Sequence, residues 1–275
     1  MDSLSHLFTH FQFRTDLFFI GQLCRTGSFD EPNKGYLHFI RQGRCLLNLS
    51  ENQTILIERP CIVFSPSSVL HHVHPLDKEG LSMLCINFDF GEGIRNPLVH
   101  TVDRVEVLFL DNQPHLHALA DEIFKESSSR SYGYHAAIHH LCAYFTIQVV
   151  RYCLTNNKLQ TGLLKGLADK KLGGLLQKIH QTPEYEWTVE NMAEQAAMSR
   201  SAFAAHFKNT MGVAPLAYLT NWRIAVAQTL LQKGMPVALV AEKVGYSHAA
   251  ALSRVFTRET GISPSEWLRR YRQPS

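Results

Sequence analysis

The amino-acid sequence predicts an α+β protein, in which a strand-rich amino-terminal region is followed by helices and then by an all-helical domain. Three observations support this fold class. Short apolar or alternating runs fill residues 15–110, a long apolar segment occupies residues 135–154, and an internal repeat of helical segments follows from Leu167 onward. A chain of 275 residues is long enough for two domains, each with its own apolar core.

Seven segments of the amino-terminal region have the length and composition of β-strands. They are separated by Gly, Pro, Asn, Asp and Ser, which favour turns. Strands of this number and spacing are typical of a sandwich or a barrel. The segments are LFFIGQL (17–23), YLHFIRQ (36–42), RCLLNLS (44–50), QTILIE (53–58), CIVFSP (61–66), LSMLCINFDF (81–90) and VEVLFLD (105–111).

Two helices are predicted after the strands. Apolar residues recur at helical spacing from Leu116 to Phe124, and the segment 135–154 is apolar almost all round. The second helix must be buried on two sides, one of them against the strands. The other side contacts either a second subunit or a further part of the same chain. The polar stretch TNNKLQTG (155–162) ends this helix and begins a linker to about Gly166.

Charge and histidine are unevenly divided along the chain. Residues 1–166 carry 14 Lys and Arg against 16 Asp and Glu, whereas residues 167–275 carry 13 against 8. Twelve of the 15 histidines lie in the first part. The basic second part favours a polyanionic partner. Because no long apolar stretch and no signal-peptide pattern occurs, we expect a cytoplasmic protein with no membrane partner.

The helical part contains an internal repeat, formed by residues 192–219 and 240–268. In both copies Ala-Glu opens a helix, a short turn ends in Ser, and a second helix ends in Phe, then Gly, then Pro. The last three, Phe207, Gly212 and Pro215, recur at an offset of 49, whereas Ala193 and Ser199 recur at an offset of 48. The second copy therefore has one extra residue just after its turn.

Each copy predicts a helix, a tight turn and a second helix, which is the geometry of a helix-turn-helix DNA reader. Ser199 and Ser263 are placed to cap the helices that follow them, and Gly245 permits the positive φ of a turn. Residues 215–233 predict one connecting helix of roughly 27 Å. Such a helix can hold two readers about one DNA turn, roughly 34 Å, apart. A helical protein-interaction module is the alternative.

The two copies resemble the signature of AraC/XylS transcription regulators nearly end to end, in WTVENMAEQAAMSRSAFAAHFKNTMGVAPLAYL and VALVAEKVGYSHAAALSRVFTRETGISPSEWLRR. The resemblance covers residues 167–272. It implies a sequence-specific DNA-binding regulator rather than an enzyme, with double-stranded promoter DNA and RNA polymerase as its partners.

The resemblance also implies roles for individual side chains on recognition helices at residues 200–208 and 249–259. Arg254 is expected to bind guanine with two hydrogen bonds, worth about 1–3 kcal/mol of discrimination. Four alanines among the base-facing positions shift readout toward thymine methyl groups or DNA shape. The other base-facing residues are Ser201, Ala204, Ala205, Ala249 and Ala250, those nearer the phosphates are Arg200, Lys208 and Arg258, and His248 completes the predicted DNA-binding set.

The strand-rich region resembles the cupin-like jelly roll that serves many members of this family as a sensor. The likeness rests on LIERPCIVFSP (56–66), in which Cys61 replaces the usual glycine, and on His71 after it. It implies four parts: a sensor domain at 1–112, a helical dimerisation segment at 113–155, a linker at 156–166 and a DNA-binding domain at 167–272. The expected assembly is a homodimer.

The stretch LHHVHP (70–75) raises the question of a metal site. In an extended strand His72 and His74 share one face, and His71 takes the other. Together with His38, residues His72 and His74 would form a partial site for zinc or copper. The alternative is that these histidines have surface or packing roles. Because only part of a cupin ligand set is present, a metal-binding cupin enzyme with a fused DNA-binding domain is the competing function.

Two of the six cysteines suggest a redox sensor. Cys24 and Cys85 lie on candidate strands that a jelly roll can bring together, and Arg25 could stabilise a thiolate at Cys24. This arrangement looks like that of cupin-type AraC regulators that respond to oxidants. Ordinary buried thiols are the alternative. The expected effector is an oxidant, a metal or a small organic molecule in the barrel.

Overall fold

The computed structural model describes residues 13–31, 34–50, 53–66, 69–89, 105–111, 113–156, 158 and 161–272, together with residues 5 and 8. The chain divides into two compact units. The first, here called the β unit, is built from Phe13–Asp89 and Val102–Leu159. The second, the helical unit, is built mainly from Gln160–Ser275.

The described part of the β unit contains two antiparallel sheets. The first sheet has the strand order β1-β8-β3-β6-β9, and the second has the order β2-β7-β4-β5. The strands are β1 (Arg14–Leu23), β2 (Gly27–Phe29), β3 (Gly35–Gln42), β4 (Cys45–Ser50), β5 (Gln53–Ile57), β6 (Cys61–Ser65), β7 (His71–Pro75), β8 (Leu81–Asp89) and β9 (Glu106–Phe109).

Each of the seven predicted segments contains a strand, so the strand-rich prediction is confirmed. Two further strands, β2 and β7, were not predicted. β2 has three residues, which is too few to show an alternating pattern. β7 is HHVHP, in which His71 occupies an inward position that an alternating strand would fill with an apolar residue.

The three central strands of the first sheet, β8, β3 and β6, are buried on both faces along most of their length. Two helices of the same unit, α1 (Pro114–Ser129) and α2 (Tyr134–Thr155), follow the strands. From α1, Phe124 lies against Phe39 of β3, with ring centroids 6.3 Å apart. From α2, the backbone carbonyl of His139 accepts a hydrogen bond from Thr15 of β1 over 3.3 Å.

The α2 helix buries one side and exposes another. Cys142, Phe145, Val149, Val150 and Cys153 are buried, whereas Tyr144 keeps 44% of its surface exposed. The prediction of a helix at 135–154 is confirmed. The exposed side leaves room for a contact with another chain.

The helical unit contains eight described helices, all of them short except the connecting helix. They are α3 (Leu163–Ala168), α4 (Gly173–Gln181), α5 (Val189–Gln195), α6 (Arg200–Met211), α7 (Pro215–Gln232), α8 (Val237–Lys243), α9 (Ala249–Thr260) and α10 (Pro264–Arg272). The predicted connecting helix at 215–233 is α7, and the predicted recognition helices are α6 and α9. The predicted caps are also present, since Ser199 accepts from Ala202 and Ser263 from Glu266.

One detail of the predicted repeat is wrong. The two Ala-Glu pairs, at residues 193–194 and 241–242, lie in the last turns of α5 and α8 rather than opening them. The small alanines stand there because Ala193 and Ala241 are fully or almost fully buried where each short helix meets the helix after it. The helices themselves begin earlier, at Val189 and Val237.

Candidate DNA-binding surface

The first helix-turn-helix copy consists of α5, a turn and α6. Thr188 caps α5 and forms a capping box with Asn191, each side chain bonding the other's backbone N–H. The turn passes through Ala197, whose φ is +51°. Ser199 then caps α6, its hydroxyl accepting a hydrogen bond from the backbone N–H of Ala202 over 3.4 Å.

The second copy consists of α8, a longer turn and α9. Gly245, with φ +78°, takes the left-handed position that Ala197 holds in the first copy. The extra residue predicted after this turn shifts the cap by one position, from Ser247 to His248. Nδ1 of His248 accepts a hydrogen bond from the backbone N–H of Ala251 over 3.1 Å. This fixes the ring with its other nitrogen, Nε2, as the protonated one.

Aromatic side chains hold each recognition helix from behind. In the first copy Phe203 and Phe207 are fully buried, and Phe207 meets Tyr218 of α7 with ring centroids 5.7 Å apart. In the second copy Leu252 and Phe256 are fully buried, and Phe256 packs on Trp267 of α10 at 6.0 Å. The opposite side of each recognition helix is thereby turned toward solvent.

The ten predicted DNA contacts lie on these outward sides or, for Arg200, His248 and Ala249, at the amino-terminal ends of the two helices. Eight of them are exposed, and two alanines, Ala204 and Ala249, are partly buried. We call the outward sides, together with these amino-terminal ends, the reading faces. The reading face of the first copy holds Arg200, Ser201, Ala204, Ala205 and Lys208, and that of the second holds His248, Ala249, Ala250, Arg254 and Arg258.

The cations of the reading faces differ in their partners. Arg200 forms an ion pair with Glu190 at 2.8 Å, and Arg258 forms one with Glu259 at 2.9 Å. Across the residues that the structure describes, no carboxylate pairs with Lys208 or Arg254. Exposed ion pairs contribute only about 0–1 kcal/mol, so phosphates can replace these carboxylates at little cost.

Three polar residues of the reading faces were not among the DNA contacts predicted from the sequence. Asn209 lies one turn beyond Ala205, and Ser253 and Thr257 lie one and two turns beyond Ala249. Asn209 and Thr257 are exposed, and Ser253 is partly so. The signal that would have found them is the spacing of four residues, which returns a helix to the same side. They supply polar groups beside the alanines.

In the β unit, the histidine cluster is arranged differently from the prediction. His38 of β3 and His71 of β7 are both fully buried between the two sheets, with their Nε2 atoms 2.9 Å apart. His72 is partly exposed and His74 exposed on the other side of β7. His38 therefore meets His71, not His72 and His74. Among the described residues, no group of three His, Cys, Asp or Glu side chains could hold a metal ion.

The hydrogen bonds fix the tautomers of this buried pair. Nδ1 of His71 lies 2.7 Å from the carbonyl of Val69, and a carbonyl can only accept, so this nitrogen carries the proton. Nε2 of His71 then accepts from Nε2–H of His38. Burial lowers the pKa of His71 and, with help from the neighbouring His71 ring, holds the pKa of His38 well below its usual value. Both rings are neutral at pH 7.

The two predicted sensor cysteines lie on paired strands but far apart. β1 and β8 are antiparallel neighbours, in a register that sets Cys85 opposite Phe19 and Leu81 opposite Leu23. Cys24 follows Leu23, so at least four residues, about 13 Å along the strand, separate the two thiols. A disulfide needs Cα atoms about 4.4–6.8 Å apart. The predicted proximity is therefore corrected: the strands meet, but the register separates the cysteines.

The six cysteines, all of them described, differ sharply in exposure. Cys24 is exposed, and the other five are buried. Burial raises the pKa of Cys45, Cys61, Cys142 and Cys153 to about 12, and it raises that of Cys85 as well. Buried thiols of this kind are poor nucleophiles.

No described helix combines the length and the apolar composition needed to cross a membrane.

Comparisons with known proteins agree with both units. A family model described as "Cupin" matches residues 2–155, more than half of the chain, and one described as "Helix-turn-helix domain" matches residues 192–270. The RCS-specific HTH-type transcriptional activator RclR of Escherichia coli K12 is 28% identical over 240 residues, which are 86% of this chain and 84% of the relative. An AraC-like transcription regulator of Streptomyces antibioticus is 41% identical over 130 residues, 46% of this chain and 43% of the relative.

Among solved structures, the DNA-binding domain of AdpA in complex with a target DNA matches 38% of this chain and 95% of its own, with 31% identity and a TM-score of 0.37. The two family models and the two regulators agree on one assignment. The chain belongs to the AraC family of helix-turn-helix transcription regulators, with a cupin domain ahead of its DNA-binding domain.

Proposed function

We propose that the chain places α6 and α9 in successive major grooves of promoter DNA, and that a chemical signal received by the β unit changes this binding. The observation that carries the first part is the orientation of the two recognition helices. Each is held from behind by buried aromatic side chains and turns an exposed face to solvent. A sequence-specific reader needs that arrangement in both copies.

The reading faces divide the work between position and sequence. Arg254, without a carboxylate partner among the described residues, reads a base, preferably guanine through its O6 and N7 atoms. Lys208 and the two ion-paired arginines, Arg200 and Arg258, bind phosphates and fix the register. Ser253 and Thr257 add short hydrogen-bonding groups, while the alanines contact thymine methyl groups or follow groove shape.

Selection of DNA from a random library by the full chain tests this proposal. We expect a site of two conserved segments about one helical turn apart, bound with an affinity that falls steeply as salt rises, because phosphate contacts release counterions. Enrichment of no sequence, or binding without salt dependence, would contradict it. A protein-interaction module would give the second result.

For the signal, we propose an oxidant that reacts at Cys24. This thiol is exposed, and Arg25 follows it directly in the chain. A peroxide supplies a simple form of the step: the Cys24 thiolate attacks one oxygen, the O–O bond breaks, sulfur is oxidised to a sulfenic acid and hydroxide leaves. That a relative of 28% identity is named an RCS-specific activator supports response to a specific chemical signal.

Cys85 stays reduced in the first step, because it is buried beside His38 in the paired strands. It can bond to Cys24 only if the end of β1 separates from β8. This places a structural change between oxidation and any disulfide, and such a change is a means of signalling.

DNA binding before and after mild peroxide treatment, with wild type, Cys24→Ser and Cys85→Ser, tests the redox step. We expect peroxide to change the affinity of the wild type and to have no effect on Cys24→Ser. Cys85→Ser should still form a sulfenic acid at Cys24 but no intramolecular disulfide. If wild type and Cys24→Ser respond alike, the oxidant proposal fails, and titration with zinc, copper and small organic molecules becomes the next search.

We further propose that the protein acts as a homodimer in the cytoplasm and contacts RNA polymerase. Support for the dimer comes from α2, whose outward side carries the exposed Tyr144 beside the partly exposed Leu141 and Ile147. Tyr144→Lys should lower the mass measured in solution from that of two chains to that of one, while Tyr132→Lys, which changes an exposed tyrosine outside this helix, serves as the control.

A further inference from the structure

Arg223, in the middle of α7, contacts both helix-turn-helix copies. Its Nε donates a hydrogen bond to the carbonyl of Pro183 over 2.8 Å, and its Nη2 donates one to the carbonyl of Tyr185 over 2.9 Å. The same guanidinium lies over the ring of Tyr246, 5.6 Å from the centroid. From one position on the connecting helix, Arg223 thus contacts two backbone carbonyls on one side and an aromatic ring on the other.

The carbonyls on one side belong to the segment that leads into the first copy. Within this segment, the indole of Trp187 donates to the carbonyl of Thr182 over 3.0 Å. The segment is joined to α5 by the side chain of Asn191, which donates to the carbonyl of Glu186 over 2.8 Å. A shift of Pro183 or Tyr185 therefore moves the start of α5, and with it the first copy.

The groups on the other side belong to the turn of the second copy. Tyr246 follows Gly245, and its backbone N–H bonds to the carbonyl of Ala241 in α8 over 2.8 Å. A Cβ atom on Gly245 would lie 2.5 Å from Nη2 of Arg223 and 2.9 Å from the carbonyl oxygen of Glu184. The turn of the second copy and the entry of the first are thus packed together around a single guanidinium.

The chemistry of arginine suits this place. A guanidinium is planar and presents several N–H donors in a rigid fork, so it can bind two carbonyls and stack on a ring without choosing between them. Lysine has one compact ammonium on a flexible stem and lacks a planar group that can bind two carbonyls through its edge while its face lies on a ring. The connecting helix sets the distance between the copies, and a contact that joins the turn of the second copy to the entry of the first constrains their relative angle.

We propose that Arg223 is a positioning residue that sets the angle between the two recognition helices, and so determines which spacing of half-sites the protein accepts. This inference rests on the proposed two-groove binding. It concerns neither a base nor a phosphate contact. Loss of Arg223 should leave each copy able to bind its own half-site and should remove the advantage of binding both together.

The test uses the full chain and the DNA site selected by wild type. Affinities are measured for the intact site, for sites with either half replaced, and for sites with one base pair inserted or removed between the halves. We expect Arg223→Gln to lower affinity for the intact site by about ten-fold, to change single-half affinities by less than about two-fold, and to flatten the spacing preference. Lys233→Gln, an exposed charge at the end of α7, is the control.

Two further variants keep the test decisive if Arg223→Gln folds poorly. Arg223→Lys retains the charge, and Tyr246→Leu removes the ring while retaining the guanidinium. Both should relax the spacing preference. Proportional losses for intact and single-half sites would reduce Arg223 to a stabilising role and overturn the inference, as would an unchanged spacing preference. If the wild type selects no two-part site, both the proposed function and this inference are contradicted.

Discussion

The first helix-turn-helix copy turns at Ala197, whereas the second turns at Gly245, although both residues have a positive φ, +51° and +78°. The difference follows from their surroundings. Ala197 is exposed, so its methyl group meets only the strain of the left-handed backbone. Gly245 lies against Arg223 and the Glu184 carbonyl, where a methyl group has no room.

The two caps differ in the same sense. Ser199 in the first copy is a common helix cap, whereas His248 in the second is an unusual one that accepts through its ring nitrogen Nδ1. The first copy is therefore built from local signals, the capping box and a serine cap. The second copy depends on contacts with other parts of the helical unit. We therefore expect a substitution at its turn to change stability more than a substitution at the turn of the first copy.

Gly245→Ala should have the largest effect. The left-handed backbone costs an alanine roughly 1–2 kcal/mol, and displacement of Arg223 loses charge-assisted hydrogen bonds of about 1.5–3 kcal/mol each. We expect a loss of at least about 3 kcal/mol in the free energy of unfolding, measured with urea. Gly261→Ala is the matched control, because its φ is +81° with no atom near the added Cβ. Equal losses in both would show that the packing against Arg223 contributes nothing.

Arg254→Ala and Lys208→Ala compare the reading faces directly. Loss of a base contact should weaken binding by about 1–3 kcal/mol at the preferred sequence and relax the preference at one position. Loss of a phosphate contact at Lys208 should weaken binding to all sequences alike and reduce the salt dependence by about one ion. Measured affinities for a panel of single-base variants separate the two. A uniform loss in Arg254→Ala would assign that residue to the backbone.

The buried histidine pair predicts that the stability of the β unit, which lies outside both helix-turn-helix copies, depends on pH. His38 and His71 have pKa values below their ordinary ones in the folded state, so the unfolded chain binds more protons below about pH 6.5. The contribution of the pair to the stability of the β unit is thus complete above that pH and falls as pH drops below it, by up to about 1.4 kcal/mol per pH unit for each histidine until the pH reaches its folded-state pKa.

Urea unfolding between pH 7.5 and pH 5 checks this, with wild type, His38→Leu and His72→Gln. The pH dependence should weaken in His38→Leu, which lacks one buried titrating group, and should persist in His72→Gln, whose side chain is partly exposed. An unchanged slope in His38→Leu would mean that the pair is not the source of the acid sensitivity.

Ala197→Gly should have the smallest effect, and of opposite sign. Glycine removes the left-handed strain, and its greater freedom in the unfolded chain opposes part of that gain, leaving a stabilisation of about 0.5 kcal/mol. DNA affinity should not change. Thermal unfolding of wild type and Ala197→Gly measures the difference, and a destabilised variant would show that Ala197 is not strained in the folded protein.

The fold and the reading faces were largely predictable because both rest on local patterns. Strand alternation, the repeat and the caps at Ser199 and Ser263 are visible within a few residues of sequence. Contacts across the sheets were not. The sequence cannot show that β3 and β7 bring His38 to His71, or that the register of β1 and β8 separates Cys24 from Cys85. The contacts of Arg223 were not predictable for the same reason, since its partners lie 38 and 40 residues before it and 23 residues after it.

The alanines of the reading faces have a consequence for how this regulator can acquire new targets. Ala205 and Ala250 are exposed and support no packing, so a longer polar side chain at either costs the helix only a few tenths of a kcal/mol. One well-placed arginine or asparagine there would add about 1–3 kcal/mol of preference for a base. With the proposed placement of α6 and α9 in the major groove, operator choice can drift by single substitutions while the scaffold is preserved, which makes these positions a natural starting point for reprogramming the protein.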